Sequence, residues 1–399
     1  MEQVSVILIN CHLHVVPILR GEVEALGYTI TWEHPNGVEI KGTMHDCIRL
    51  NYYLRTASKV LWMIKKFKAG NADELFHRMN DIAWENYLLL EKPFSVTSFT
   101  SNPTINNTLF TNLKTKDAIC DRFRLKKGNR PDSSSERNGA VVFVHWQDHA
   151  VSVYLNTSGE SLSKHGYRKI PYLAPLQENL AAALILQTGW DANSTFINPM
   201  CGAGTLAIEA ALLALDRHPG FIRTEYAFMH LKDYDENFYR DLTFEAGMKT
   251  KTEINFPIIA TDISNEAVEV AKKNAEIAGV LQFIEFKCCP VEETPVPEIV
   301  KDETENKNLT PIVMMNPPYG ERLETDTDLI PLYQTIGNFL KRNCAGYKGF
   351  VFTGNYETAK FIGLKPKSRK IFYNAKIECK LFGYELYAGK KYSAKEKMV

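Results

Sequence analysis

The chain has 399 residues, 45% of them hydrophobic and 24% charged, with a formal net charge of +0. Such a composition excludes an intrinsically disordered polymer, and the length exceeds what one core commonly fills, so two or three domains are expected. Overall neutrality leaves polyanion binding open, because local basic stretches are enough to release counterions.

Residues 4–10 form an apolar strand candidate, followed by a helical pattern at 15–26 and strand signals at 28–32 and 37–42. A further helical pattern covers 44–54. Strands alternating with two helices in about sixty residues predict a ferredoxin-like α+β unit. His12, His14 and Cys11 within it lack a metal-spaced partner and read as structural.

A helical pattern runs from 69 to 90, and residues 94–100 alternate like a strand. A helix at 112–124 leads into the basic loop Lys126-Lys127-Gly128-Asn129-Arg130. Its cations Lys114, Lys116, Arg122, Arg124, Lys126 and Lys127 read either as a solvated face or as a phosphate-contacting patch. Residues 141–146 and 150–155 form a hairpin, in which His145, Asp148 and His149 read as turn chemistry.

The Gly-, Ser- and Pro-rich stretch 156–175 reads as a domain boundary. A proline-started helix is then expected over 175–186, a strand at 195–197, and a helix at 206–215. Between the last two lies Asn198-Pro199-Met200-Cys201-Gly202-Ala203-Gly204-Thr205, where Gly202-x-Gly204-x-x-Ala207 satisfies the dinucleotide fingerprint weakly. The strand at 257–261 ends on Asp262, an acid placed to accept both hydroxyls of a ribose. Residues 216–256 separate it from the glycine loop as an insertion, for which a lid over cofactor or RNA is one expectation.

Ser264 caps a helix through Ala278, with Gly279 as its stop, and a strand is expected over 281–287 before Cys288-Cys289-Pro290. An acidic loop covers 292–308. The apolar run Ile312-Val313-Met314-Met315 then leads into Asn316-Pro317-Pro318-Tyr319, and a helix at 329–340, a strand at 349–353, a short helix at 357–362 and strands at 371–373 and 378–386 close the chain. This alternation predicts a doubly wound, mostly parallel sheet. Residues 360–399 hold 11 Lys+Arg against 3 Asp+Glu, a solubilising tail or part of an RNA-binding edge.

Asn316 falls at a strand's carboxyl end, where open α/β sheets bind ligands. A carboxamide oxygen and a carbonyl in a rigid Pro-Pro turn can accept both hydrogens of an exocyclic amine, while the Tyr319 ring gives a base a face to stack on. Taken alone, such a motif is as readily a strand followed by a turn. Combined with the glycine loop it indicates methyl transfer from S-adenosylmethionine, since a nicotinamide dehydrogenase gives no reason for Asn-Pro-Pro-Tyr.

Eight cysteines occur without a C-x-x-C pair, so neither zinc nor a disulfide framework is expected, and no metal. The start lacks a signal peptide, and no apolar run is long enough to span a bilayer. The chain therefore reads as cytoplasmic, without a membrane partner.

Four stretches together carry a resemblance over nearly the full chain: Asn198-Pro-Met-Cys-Gly-Ala-Gly-Thr205, Asn316-Pro-Pro-Tyr-Gly-Glu-Arg-Leu323, Ala174-Pro-Leu-Gln-Glu-Asn-Leu-Ala-Ala-Ala183 and Pro219-Gly-Phe-Ile-Arg223. The sequence resembles the THUMP-domain class I methyltransferases that act on guanine N2 of RNA, in their bacterial 23S ribosomal RNA branch. The resemblance implies a Rossmann-like α/β sheet of seven strands with the last antiparallel, preceded by a ferredoxin-like unit and a THUMP domain. The expected boundaries are 1–66 for the ferredoxin-like unit, 67–158 for THUMP, 159–174 for a linker, 175–390 for the methyltransferase and 391–399 for a basic tail.

The resemblance also assigns roles. Asn198, Pro199, Cys201, Gly202, Gly204, Asp262 and Cys289 would form the S-adenosylmethionine site, with Gly202 and Gly204 against the methionine part and Asp262 on the ribose. Asn316, Pro317 and Tyr319 would be catalytic, and 116–121 would belong to a helix gripping RNA. Asn198 and Cys289 stand where acids are common in the family. Transfer RNA guanine N2, adenine N6, and a noncatalytic RNA-binding assembly factor are the alternative readings.

Overall fold

The computed structural model describes residues 3–103, 105, 107–134, 136, 138–170, 176–299, 310–319 and 329–387. Ala174 and Pro175, the acidic stretch 300–308, Gly320-Glu321-Arg322-Leu323 and the basic tail 391–399 lie outside the described residues. Two compact units are present, one of residues 1–12, 19–163 and 219–248, the other of 13–18, 164–218 and 249–399.

The first unit is built on one seven-stranded sheet in the order β2-β3-β1-β4-β7-β6-β5. Its strands are β1 (Ser5–Cys11), β2 (Ile30–His34), β3 (Gly37–Gly42), β4 (Ala57–Lys68), β5 (Phe94–Ser101), β6 (Ala140–Gln147) and β7 (Ala150–Asn156). The first four, with helices α1 (Val16–Ala25) and α2 (Met44–Tyr53), run β-α-β-β-α-β in the order 4-1-3-2, the ferredoxin-like arrangement. β4 was not expected from the sequence. Its Lys65-Lys66-Phe67-Lys68 end obscures the alternation, and a bulge between Met63 and Lys65 breaks the period. It pairs antiparallel with both β1 and β7, so the ferredoxin-like and THUMP parts share a continuous ladder.

The helical pattern at 69–90 resolves into α3 (Ala72–Asn80) and a short 3-10 turn at Trp84–Asn86. α4 (Thr108–Lys127) is longer than expected, capped by Asn107 and ended by Gly128 in the left-handed region. Residues 219–248 of the insertion also belong to this unit. Gly220 lies against the Tyr52 ring, where an added Cβ would sit 2.2 Å from Cδ2. The Arg223 guanidinium donates to the carbonyls of Ser158, Glu160 and Ser161 at 2.9, 2.8 and 3.0 Å. The Pro-Gly-Phe-Ile-Arg stretch is thus explained by packing, and α7 (Glu236–Lys249) follows it.

The second unit's sheet has the order β10-β9-β8-β11-β12-β14-β13. Its strands are β8 (Phe196–Pro199), β9 (Ile258–Asp262), β10 (Glu285–Cys288), β11 (Ile312–Met315), β12 (Lys348–Thr353), β13 (Ser368–Asn374) and β14 (Ile377–Glu385). All ladders are parallel except those of β14 with β12 and β13, so the last strand alone runs against the rest. Helices α5 (Glu178–Thr188), α6 (Thr205–Ala214), α8 (Asn265–Ile277), α9 (Ile330–Asn343) and α10 (Tyr356–Ala359) alternate with the strands. The strand expected at 281–287 begins only at Glu285, because 281–283 is a 3-10 turn. Part of the stretch expected as a linker packs against α6. His165 and Tyr167 are buried, and both hydrogen-bond to Glu209 Oε1 of α6 at 2.8 Å.

Candidate active site

β8 and β11 lie side by side and parallel, with Ile197 opposite Val313, so their carboxyl ends open onto the same sheet edge. Asn198 sets that register more firmly. Its Nδ2 donates to the Met314 carbonyl at 2.9 Å, its side chain is buried, and no described donor reaches its Oδ1.

The turn after β8 holds a run of left-handed residues, Met200 (φ 57), Gly202 (φ 54) and Gly204 (φ 82). The two glycines serve different ends. A Cβ on Gly204 would stand 2.8 Å from the Ala271 side chain and 3.2 Å from its Cα, so this glycine lets α6 approach α8. A Cβ on Gly202 meets nothing within 4 Å, so here the backbone faces open space. Met200 adopts the same conformation without glycine's freedom, which stores about 1–2 kcal/mol of strain at the cavity wall.

Asp262 ends β9 and joins the two loops. Oδ2 accepts from the Gly202 N–H at 2.9 Å and Oδ1 from the Ser264 N–H at 3.0 Å, while the Asp262 carbonyl accepts from Cys289 N at 3.0 Å. Each carboxylate oxygen keeps lone pairs for further donors.

A cavity of about 1500 Å³ lies at this edge. Cys201, Gly202, Asp262 and Cys289 line it on the glycine-loop side, and Asn316, Pro317 and Tyr319 on the other, with Asn374 and Lys376 beside them. Asn198, Pro199 and Gly204, expected as cofactor residues, are not among its lining. Asn198 ties the strands, and Gly204 serves helix packing. Asn374 and Lys376 were not singled out from the sequence. They sit in the tight turn between β13 and β14, where Ala375 has φ 55, and only the fold brings that turn to the site.

Asn316 Oδ1 is buried, and no described donor reaches it. An acceptor left so costs about 1–3 kcal/mol unless a ligand supplies the donor. The Tyr319 ring meets Phe352 edge-on, at 6.3 Å and 88°, and its hydroxyl accepts from Asn374 Nδ2 at 3.0 Å. Burial, with Cys379 beside it, pushes this phenol well above its usual range, so it stays protonated. Burial and the Asp262 charge likewise hold the Cys201 thiol far above the range where it would be a nucleophile.

The expected RNA-binding cations lie in the first unit. Arg122 is engaged by Glu85 through Nε at 3.1 Å and Nη2 at 2.7 Å, Arg124 by Asp121, Lys116 by Asp117 and Lys114 by Asp73. Lys126 and Lys127 are exposed at the helix end. No helix among the described residues is long and apolar enough to cross a membrane, and none of their side chains forms a metal-binding group of three.

Residues 165–382 match the family described as RMKL-like, methyltransferase domain; residues 7–61 match the RlmL ferredoxin-like domain and 69–156 the THUMP domain. A protein named Ribosomal RNA large subunit methyltransferase K/L from Syntrophotalea carbinolica is 33% identical over 378 residues, covering 93% of this chain and 52% of its own. The chain thus spans about half the length of the curated relatives it matches. Among solved structures, SMU.472, described as a candidate methyltransferase and complexed with S-adenosylhomocysteine, is 26% identical with a TM-score of 0.85, covering 98% of this chain and 100% of that one. A predicted N6-adenine-specific DNA methylase from Listeria monocytogenes is 28% identical with a TM-score of 0.83, covering 96% of this chain and 97% of that one.

Proposed function

The chain belongs to the RMKL-like methyltransferase domain family, and from that membership we propose that it is an S-adenosylmethionine-dependent RNA methyltransferase acting on the exocyclic N2 amine of a guanine in 23S ribosomal RNA. The observation that carries this reading is Asn316. A buried carboxamide oxygen that no described donor reaches stands in the same cavity as a ribose-ready carboxylate and an open glycine backbone.

The residues present suit the cofactor. Asp262 would accept its ribose hydroxyls, Gly202 would leave room for its methionine part, and Cys201 and Cys289 would close the wall around it. Bound there, S-adenosylmethionine supplies an electrophilic methyl on a sulfonium. Asn316 Oδ1 and the Pro317 carbonyl accept the two amine hydrogens of a base turned out of its stack, and the Tyr319 ring stacks on that base. Held by Asn316 and the Pro317 carbonyl, the amine lone pair would face the methyl that the sulfonium would supply. Rate comes from positioning and desolvation rather than from a covalent enzyme intermediate, in keeping with the protonated Cys201.

Incubating the chain with 23S ribosomal RNA and labelled cofactor, then digesting to nucleosides for mass analysis, tests the reading. N2-methylguanosine is expected. The second reading, adenine N6, is favoured by the name of the Listeria structure and by the same Asn-Pro-Pro-Tyr stretch, and N6-methyladenosine in that digest would establish it.

A further inference from the structure

Helix α8 backs the glycine turn and is tied to it at several points. At its start the Ser264 side chain accepts from the Ala267 N–H at 3.2 Å, while the Ser264 N–H donates to Asp262 Oδ1 at 3.0 Å. Two turns later Ala271 lies against Gly204, at a distance that only the missing Cβ allows. One turn further, Asn274 Nδ2 donates to the Ala203 carbonyl at 3.2 Å. Ala203 lines the cavity beside Gly202, whose N–H donates to Asp262 Oδ2 at 2.9 Å. The contacts thus close a ring, from Asp262 along α8 to the glycine turn and back to Asp262.

Asn274 is unlike its surroundings. The other buried residues of α8 are Ala267, Val268, Ala271 and Ala275, all apolar, whereas Asn274 is 0% exposed. Alanine is the better helix former, and the amide buried here leaves its Oδ1 with no described donor. Turning the amide over would set its oxygen against the Ala203 carbonyl oxygen, so the donor faces the loop. A buried polar group kept at such a cost marks a requirement other than stability.

We propose that Asn274 is a positioning residue for the cofactor, holding the Ala203 carbonyl so that the glycine turn stands in its binding conformation before the cofactor arrives. Ala203 lies between Gly202 and Gly204, both left-handed, where the backbone has the least conformational restraint of its own. A turn fixed in advance spares the ordering cost that binding would otherwise bear. Asn274 is not among the residues lining the cavity, so it acts through the loop. This role presupposes S-adenosylmethionine in the cavity, and it is independent of which base is methylated there.

The test uses the full chain and S-adenosylhomocysteine, titrated calorimetrically without RNA, in the parent, Asn274→Ala and Asn274→Leu. Both variants lack the donor; alanine suits the helix, and leucine keeps the branched shape. Loss of one neutral hydrogen bond is expected to weaken affinity roughly 2- to 13-fold in each. In hydrogen exchange without cofactor, the amides of residues 200–206 should exchange faster than in the parent, and saturating S-adenosylhomocysteine should narrow the difference. In a methyl-transfer assay, KM for S-adenosylmethionine should rise while kcat at saturating cofactor and KM for RNA stay near parent values. A purely structural role would instead lower the active fraction, and kcat with it, at unchanged KM. Parent-like affinity in either variant would overturn the proposal, whatever the exchange shows. A parent that binds the cofactor without methylating RNA would count against the catalytic reading alone.

Discussion

The side-chain amide of Asn374, in the turn between β13 and β14, donates to the Tyr319 hydroxyl at 3.0 Å, joining positions 55 residues apart in sequence. This bond fixes the ring proposed to stack on the substrate base. A neutral hydrogen bond contributes about 0.5–1.5 kcal/mol, so Asn374→Ala should lower kcat/KM roughly 2- to 13-fold. Tyr319→Phe should reproduce that loss, and the double variant should lose little more. Steady-state kinetics on the two singles and the double check the coupling, and fully additive losses would disconnect the pair.

Asn316→Ala should leave cofactor binding unchanged while turnover falls on the order of 100-fold, the scale seen when one preorganised polar group at a reacting centre is removed. Calorimetry with S-adenosylmethionine and a labelled-methyl assay on the same preparation separate the two effects. Near-parent turnover would remove Asn316 from the reaction.

At Asp262 the carboxylate both joins the two loops and faces the cavity. Asp262→Ala should weaken cofactor affinity by about 1.5–3 kcal/mol, the usual contribution of hydrogen bonds to a charged group. Asp262→Asn should lose less, because one oxygen remains to accept. The titration is calorimetric, and unchanged affinity in the alanine variant would place the ribose elsewhere.

The two glycines of the loop should respond differently. Gly204→Ala drives a methyl into Ala271 and should cost about 1–3 kcal/mol of stability by denaturant unfolding. Gly202→Ala meets open space, so it should lose only about 1–2 kcal/mol to its left-handed backbone, while cofactor affinity falls further than in the Gly204 variant. Equal affinities in the two variants would contradict the division of roles.

Arg122 is expected to act in stability rather than in RNA contact. Its guanidinium, by hydrogen bonding, holds the Glu85 carboxyl below the usual glutamate range. A lowered folded-state pKa contributes stability that is present above the unfolded value of about 4.3 and is lost as pH falls through the folded value. Arg122→Ala should therefore destabilise by about 1 kcal/mol at neutral pH, and the difference from the parent should vanish in acid. A pH series of urea unfolding curves tests the sign.

The sequence by itself determined what is local. Alternation of apolar periods marked most strands and helices, Ser264 and Gly279 bounded α8, and Asn316 stood at a strand end because prolines follow four apolar residues. The apposition of the glycine turn and Asn-Pro-Pro-Tyr was also legible, since a parallel doubly wound sheet brings successive carboxyl ends to one edge. Tertiary structure alone decided what depends on distant pairing. β4 became the shared strand of the first unit because it gains two ladder partners, which its lysine-rich sequence does not advertise. Residues 219–248 joined that unit through Gly220 against Tyr52 and Arg223 on three carbonyls. Asn198 tied β8 to β11 and Gly204 let α6 approach α8, contacts that the motif alone did not show, while Asn374 reached the cavity from the last hairpin. Side-chain contacts of this kind are set by which elements meet, and periodicity along one chain carries no record of them.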